Sequence, residues 1–374
     1  MIESILVTGG CGFVGSWTVD LLVKKGYKVT ILDSLEPQVH QRGAPTYLNR
    51  AATFIQGDVR DGQLLGKLVK EADAVVHLAA NVGVGQSMYQ IEKYVDTNTR
   101  GTAVLLDSLV NNGNDVRKLV VASSMSIYGE GKYYCESCQQ EKYPKMRETQ
   151  QLDNSIWDPK CPDCGSILKS VPTDEDKPLH PTSIYAMSKR DQEEMCLLIG
   201  ETYNIPVVAL RYFNIYGPRQ SLSNPYTGVC AIFLSRILSS RRPYIFEDGQ
   251  QSRDFVHVSD IARANVLAIE SENANYRGVN IGSGQPISIL RLATLISNII
   301  GVDADPEVAQ EYRKGDIRHC YADIEKARKL LSYSPSVSIE DGLKDLSKWA
   351  LENRAYSVDL FEEALNELKS RRLA

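Results

Sequence analysis

Directly after a short apolar run, Ile5 to Thr8, the chain reads Gly9-Gly10-Cys11-Gly12-Phe13-Val14-Gly15 and then enters a segment with helical spacing. Glycines 9, 12 and 15 at a strand-to-helix turn let the chain bend tightly, let backbone N–H groups approach a ligand, and let helix pack closely on strand. The N-terminus of the following helix favours negative charge, so such a turn is shaped for a phosphate. It also belongs to one kind of architecture, in which a strand, a crossover helix and a parallel strand repeat.

That alternation fills the first 210 residues. Ile5 to Thr8, Lys28 to Leu32, Thr53 to Gln56, Ala74 to Leu78, Lys118 to Ser123 and Val207 to Arg211 are apolar runs without alternation, as expected of strands buried on both faces. Between them Phe13 to Lys25, Tyr94 to Asn112 and Ile184 to Tyr203 carry apolar residues at helical spacing. The expected fold is α/β, a Rossmann-type doubly wound parallel sheet over residues 1–215. Beyond Gly217 turn signals become denser, so residues 216–374 are expected to form mainly a smaller C-terminal substrate lobe, with some segments returning to the first domain. Near the end, Leu360, Phe361, Ala364, Leu365 and Leu368 form an apolar stripe, expected to pack on its own protomer or on a twin.

Asp33 closes the second apolar run, about 20 residues past the glycine turn, where a carboxylate accepts hydrogen bonds from a ribose 2′-OH and repels a 2′-phosphate. The expected cofactor is therefore NAD, held at Gly9, Gly12, Phe13, Val14, Gly15 and Asp33. Further on, Tyr185 and Lys189 stand four residues apart, on one face of a helix. A neighbouring ammonium lowers the pKa of a phenol, which suits a group that takes a proton from a hydroxyl as hydride leaves the same carbon.

The glycine turn, Asp33, Ser123-Ser124 at a strand end and Tyr185 to Lys189, in that order, resemble the extended short-chain dehydrogenase/reductase superfamily. The resemblance is to its nucleotide-sugar epimerase and dehydratase branch. Further motifs that carry it are Gly57-Asp58-Val59-Arg60, His77-Leu78-Ala79-Ala80, Asn98 with Gly101-Thr102, Arg211-Tyr212-Phe213-Asn214, Arg253-Asp254-Phe255 and Gly315-Asp316-Ile317-Arg318-His319. The resemblance implies that Ser124 completes a triad with Tyr185 and Lys189. It puts Asp58, Val59, Leu78, Ala79, Ala80, Asn98, Ser123 and Tyr212 on the cofactor. It puts Gln86, Ser87 and Ser126 on the substrate, with Asn214, Arg253 and Arg318 on a diphosphate, which a guanidinium fork contacts at two oxygens.

Members of this branch share oxidation at the sugar C4 and differ in the later steps. Dehydratases carry an Asp-Glu pair just after the serine or threonine, and sugar-acid decarboxylases a nearby glutamate. Met125 and Ser126 stand there instead, and neither transfers a proton at neutral pH in that way. What is left is reversible oxidation and return of hydride to the other face, a 4-epimerisation; a nucleotide-sugar 4-reductase or dehydrogenase is the alternative chemistry. The segments Asn81 to Tyr89, Ser223 to Gly228 and Phe246 to Gln251 resemble the dTDP-L-rhamnose 4-epimerases within the branch. No residue singled out reads the base or the 6-deoxy carbon, so UDP- and GDP-sugars stay open.

From Gly129 to Lys177 the chain departs from the pattern: it is polar, with no strand or helix pattern of useful length. Cys135-x-x-Cys138 and Cys161-x-x-Cys164 lie within it, separated by 22 residues, and two such knuckles supply the four sulfurs of a closed structural zinc site. A zinc ribbon inserted at 130–177, forming a cap over the sugar pocket, is the expectation. Acidic residues interleave with its lysines, which argues against nucleic acid. Cys11, Cys196, Cys230 and Cys320 are scattered and read as small buried hydrophobes.

A net charge of −5 leaves no broad basic field for nucleic acid or anionic membrane, and no apolar run approaches the length of a membrane span. The expected partner is a nucleotide-sugar substrate, the expected location the cytoplasm, and the expected assembly, from the family resemblance, a homodimer.

Overall fold

A computed structural model of the chain describes residues 2–113, 115–226, 228–302, 305–354 and 358–374; Thr227, within the Ser223 to Gly228 segment, lies outside the described residues. Among those described, seven strands form one parallel sheet. Its order is Arg277–Ile281, Val207–Tyr212, Lys118–Ser124, Ala74–His77, Ser4–Thr8, Lys28–Asp33 and Thr53–Gln56. Successive side chains of a strand point to opposite faces, and here both faces are covered. Ile5 and Val7 join one core, with helices Phe13–Lys24 and Val258–Glu270, while Leu6 joins the other, with Gly62–Lys70, Gly101–Asn111 and Ile184–Tyr203. That double coverage is why the strands show no polar alternation.

The first strand pairs with Lys28–Asp33 on one side and Ala74–His77 on the other, so the order of the sheet reverses around it. A crevice opens at the carboxyl ends of the strands at such a point. The seventh strand, Arg277–Ile281, comes from beyond residue 216 and returns to pair with Val207–Tyr212. The rest of the later chain builds a second lobe on Asn214–Tyr216, Ser252–His257 and Pro286–Ser288, around a core that includes Phe233, Leu234, Leu292, Ile296, Leu343 and Leu346.

The inserted segment is folded. Gln140–Lys142, Lys132–Cys135 and Lys169–Val171 make a three-stranded antiparallel sheet whose strands the sequence pattern does not mark. Strands of three or four residues are too short for alternation to register. Its own core is Tyr133, Cys135, Cys161 and Leu168. The C-terminal stripe packs on its own protomer: Phe361 and Leu365 of the helix Phe361–Ser370 lie against Phe246. No helix among the described residues is long and apolar enough to cross a membrane.

Candidate active site

The strand ends and the second lobe enclose a cleft of about 1040 Å³. Small-molecule pockets run to roughly 1,000 Å³, so this cleft has room for an extended dinucleotide and a second ligand. Gly9, Gly12, Phe13, Val14 and Gly15 line it at one end. The backbone there is drawn in tightly: a Cβ on Gly15 would lie 2.1 Å from the Gly9 carbonyl oxygen, and one on Gly9, at φ +71°, would lie 2.8 Å from the Ala79 nitrogen. Only glycine leaves that floor open to a pyrophosphate.

Asp33 lines the same end, and its two oxygens accept the N–H groups of Cys11 and Leu35 at 2.9 Å each. A carboxylate oxygen has a second lone pair, so both stay able to accept ribose hydroxyls. His40 Nε2 lies 3.9 Å from Asp33, but burial holds its pKa below the ordinary value, so it brings no fixed cation. Asp58, Val59, Leu78, Ala79, Ala80, Ser123 and Tyr212 also line the cleft. Asp58 is clamped by Arg60, whose hydrogen bonds depress its pKa. Ser123 Oγ donates to Glu193 at 2.5 Å, and Tyr212 Oη donates to Asn265 at 2.5 Å. The glycine floor and the free lone pairs of Asp33 fit NAD.

At the middle of the cleft the strand Lys118–Ser124 delivers Ser124, and the helix Ile184–Tyr203 delivers Tyr185 and Lys189. The helix starts where Ser183 caps it, its side chain accepting the Ala186 N–H at 3.1 Å. Ser124 Oγ accepts from the Ser126 N–H at 3.1 Å and from Ser126 Oγ at 2.9 Å, which fixes its position. Burial pushes the Tyr185 phenol up to about 12, while its hydrogen bond with Ser124 pulls the other way. Burial draws the Lys189 ammonium down to about 7, and Nζ donates to the Ala122 carbonyl at 2.9 Å. Gln86, Ser126, Asn214 and Arg253 line the adjoining space. Asn214 Oδ1 is buried without a partner, an acceptor left for a ligand's donor.

Three expected site residues lie elsewhere. Arg318 is 1% exposed, four of its five N–H donors are spent on Asp158, Glu247 and Asp248 at 2.7 to 2.9 Å, and it does not line the cleft. Asn98 sits in a π-helical turn, Val95–Arg100, that turns it inward. Its amide bridges both backbone groups of Asn81 and the Ser188 hydroxyl, which ties a cleft loop to the helix of Tyr185. Ser87 is fully buried and accepts the backbone N–H of Tyr185 at 3.0 Å, so it holds the helix start and does not face the cleft. Arg313 and Asp316, by contrast, line the cleft and pair at 2.8 Å. Of the two cations of this segment, the glycine turn at Gly315, φ +89°, separates Arg313, which faces inward, from the expected Arg318, which does not.

The four cysteines of the insertion converge as well. The sulfurs of Cys135, Cys138, Cys161 and Cys164 all lie within 4.8 Å of one another, with Cys135 to Cys164 at 3.5 Å and Cys138 to Cys161 at 3.8 Å. A tetrahedron with metal–sulfur bonds of ~2.3 Å has edges of about 3.8 Å, so the set fits a zinc ion. The expected cap is corrected: no described residue of 130–177 lines the cleft, and the ribbon packs behind it, against residues 316–323.

A parallel sheet with a glycine floor, a carboxylate for ribose, and a serine, tyrosine and lysine at its centre defines a dinucleotide-binding protein of the extended short-chain dehydrogenase/reductase kind. The family model described as "NAD dependent epimerase/dehydratase family" matches residues 5–149 and 162–282, and the chain belongs to that family. The gap in the match, 150–161, falls inside the ribbon. A dTDP-L-rhamnose 4-epimerase of Burkholderia thailandensis is 33% identical over 93% of this chain and 94% of its own length. A UDP-glucose 4-epimerase of Thermotoga maritima, solved with UDP-glucose, superposes with TM-score 0.77 at 31% identity, over 94% of this chain and 100% of that one. A UDP-glucuronic acid 4-epimerase of Bacillus cereus, solved with UDP-glucuronic acid and NAD, gives TM-score 0.77 at 30% identity, over 94% and 99%.

Proposed function

We propose that the chain is an NAD-dependent nucleotide-sugar 4-epimerase. The observation that carries this is the convergence of Ser124, Tyr185 and Lys189 in the cleft with no carboxylate at positions 125 and 126. Bound NAD supplies a reversible hydride acceptor beside the sugar C4. Tyr185, as phenolate, takes the proton of the 4-hydroxyl beside Ser124, and returns a proton to the 4-oxygen of the inverted sugar. Ser124 keeps its position by accepting from Ser126. Lys189, when protonated, adds positive charge that favours the phenolate. The cleft surrounds the 4-keto sugar while it turns, and Arg253 and Arg313, with the amide N–H of Asn214, hold the diphosphate as its pivot.

The substrate we infer is dTDP-L-rhamnose, converted to dTDP-6-deoxy-L-talose; the relative from Burkholderia thailandensis and the three resembling segments support it. UDP-glucose is the second candidate, supported by the Thermotoga maritima neighbour. The four sulfurs hold a structural zinc ion. The assembly is a homodimer, supported by Val95, Met187 and Leu198, exposed apolar residues on two neighbouring helical segments. Eight cysteines without a disulfide among them suit the cytoplasm.

The test is incubation with a panel of dTDP-, UDP- and GDP-sugars, followed by NMR of the sugar ring protons. Epimer formation without net NADH is the expected result, and Tyr185→Phe should lower kcat by about 10²–10⁴-fold. Stoichiometric consumption of cofactor would assign the chain to the reductases instead.

A further inference from the structure

The insertion does not touch the cleft, yet it holds the back of one cleft wall. Arg147 of the ribbon donates from Nη2 both to Glu247 Oε1 at 2.8 Å and to the Asp316 carbonyl at 2.9 Å, and Glu247 and Asp316 both line the cleft. Its Nη1 is anchored on the Trp157 carbonyl at 2.9 Å, within the ribbon. Asp158 of the ribbon accepts from Arg318 Nε at 2.8 Å, and Arg318 in turn pairs with Glu247 and Asp248. From the cleft side the same backbone is gripped by Arg253, which donates to the carbonyls of Ile317 at 2.6 Å and Arg318 at 2.9 Å. Arg313 takes its place by pairing with the Asp316 side chain. Residues 316–318 are thus sandwiched, with the ribbon on one side and the cleft cations on the other.

We infer that Arg147 is a positioning residue for the diphosphate-binding wall: through Glu247 and the Asp316 carbonyl it sets where Arg253 and Arg313 present their guanidinium groups. This rests on the nucleotide-sugar reading above. A guanidinium suits the role because one planar group reaches acceptors in three segments at fixed angles, which an ammonium does not. Its side chain is 2% exposed, and partners left unpaired at such depth shift to find new ones.

The experiment compares the unmodified chain with Arg147→Met, Arg147→Lys and Asp158→Asn. Calorimetry measures the affinity for dTDP and UDP, which needs no turnover, and the NAD content and affinity of each variant are measured beside it. Arg147→Met is expected to weaken nucleoside-diphosphate binding by about 10–100-fold, the scale of a displaced binding group, with NAD binding unchanged and KM rising more than kcat falls. Arg147→Lys should recover part of the loss. Asp158, 43% exposed, gives a milder variant that carries the test if Arg147→Met does not fold, with a smaller loss in the same direction. Unchanged nucleoside-diphosphate affinity in the folded variants overturns the inference, as does a parallel loss of NAD. An unmodified chain that binds neither dTDP nor UDP overturns the function proposed above together with it.

Discussion

The Lys189 ammonium donates to the Ala122 carbonyl at 2.9 Å, tying the helix that carries Tyr185 to the strand that ends in Ser124. The tie places the proposed acid/base opposite its serine, and it does so by burying a cation. Folding lowers the lysine from 10.5 to about 7, so between those values the unfolded chain holds a proton that the folded chain has released. Stability therefore rises with pH through that window, and below it the charge is a standing penalty. Lys189→Met is expected to melt a few degrees higher than the unmodified, NAD-free chain at pH 6, one pKa unit being about 1.4 kcal/mol. The gain should shrink toward pH 10, while activity falls by about 100-fold or more. Thermal unfolding at the two pH values checks it; a variant less stable at pH 6 would show that the hydrogen bond outweighs the buried charge.

The four sulfurs make a sharper statement about metal than about redox. With a core cluster of Tyr133, Cys135, Cys161 and Leu168 and, apart from it, the buried Leu152 and Trp157, the ribbon buries too little apolar surface to hold its fold unaided. Plasma emission spectroscopy of the purified chain should find about one zinc per chain, and Cys161→Ser should lose it. NAD should stay bound in that variant, because the glycine floor and Asp33 lie in the parallel-sheet domain and share no segment with the ribbon. Iron in place of zinc, or a disulfide in the folded protein, would contradict the assignment.

Most of this architecture was legible in the sequence because it is local. The six strands proposed from apolar runs and the helix over 184–203 correspond to observed elements, the strands marked by runs without polar alternation and the helix long enough for its period to show. The glycine turn was legible for the same reason, since chain bend and phosphate floor lie within seven residues. What failed depends on tertiary orientation. Arg318 and Arg313 share one short segment, and only the fold decides that the first turns to Asp158 and the second to the cleft. Ser87 and Asn98, expected on the substrate and on the cofactor, instead support the helix that carries Tyr185, a distinction that spacing does not carry. The strands of the ribbon do not show in the sequence because they are only three or four residues long and mostly polar.

Met187 and Leu198 are 51% and 64% exposed, and 11 residues, about three turns, separate them, so they share one helix face. Val95, 42% exposed, lies on the neighbouring segment. Pairing these faces about a two-fold axis would bury them together with Asp191 and Glu194, which lie between Met187 and Leu198 on the same face. Sedimentation velocity should report a dimer, and Leu198→Arg should shift it to monomer while NAD stays bound. A dimer unaffected by this change would place the interface on another face.

Glu367 ties the C-terminal helix to both lobes: its Oε2 lies 3.0 Å from Tyr89 Oη and accepts from Tyr226 Oη at 2.9 Å, and the two tyrosine hydroxyls are themselves 2.9 Å apart. One residue along, Leu368 lines the cleft, 3.4 Å from the point where a Cβ on Gly85 would stand. The helix thus closes the sugar-nucleotide end of the cleft and leaves the glycine floor untouched. Replacing Glu367 with leucine breaks both lobe contacts at a half-buried position whose carboxylate stays partly in water, where the cost to folding is small, within about 1 kcal/mol. The expected effect is a rise of about tenfold in KM for the nucleotide sugar, with NAD affinity and melting temperature nearly unchanged. Steady-state kinetics beside a melting curve separates the two effects: a fall in melting temperature with KM unaltered would make the helix a stabilising strut and not part of the binding site.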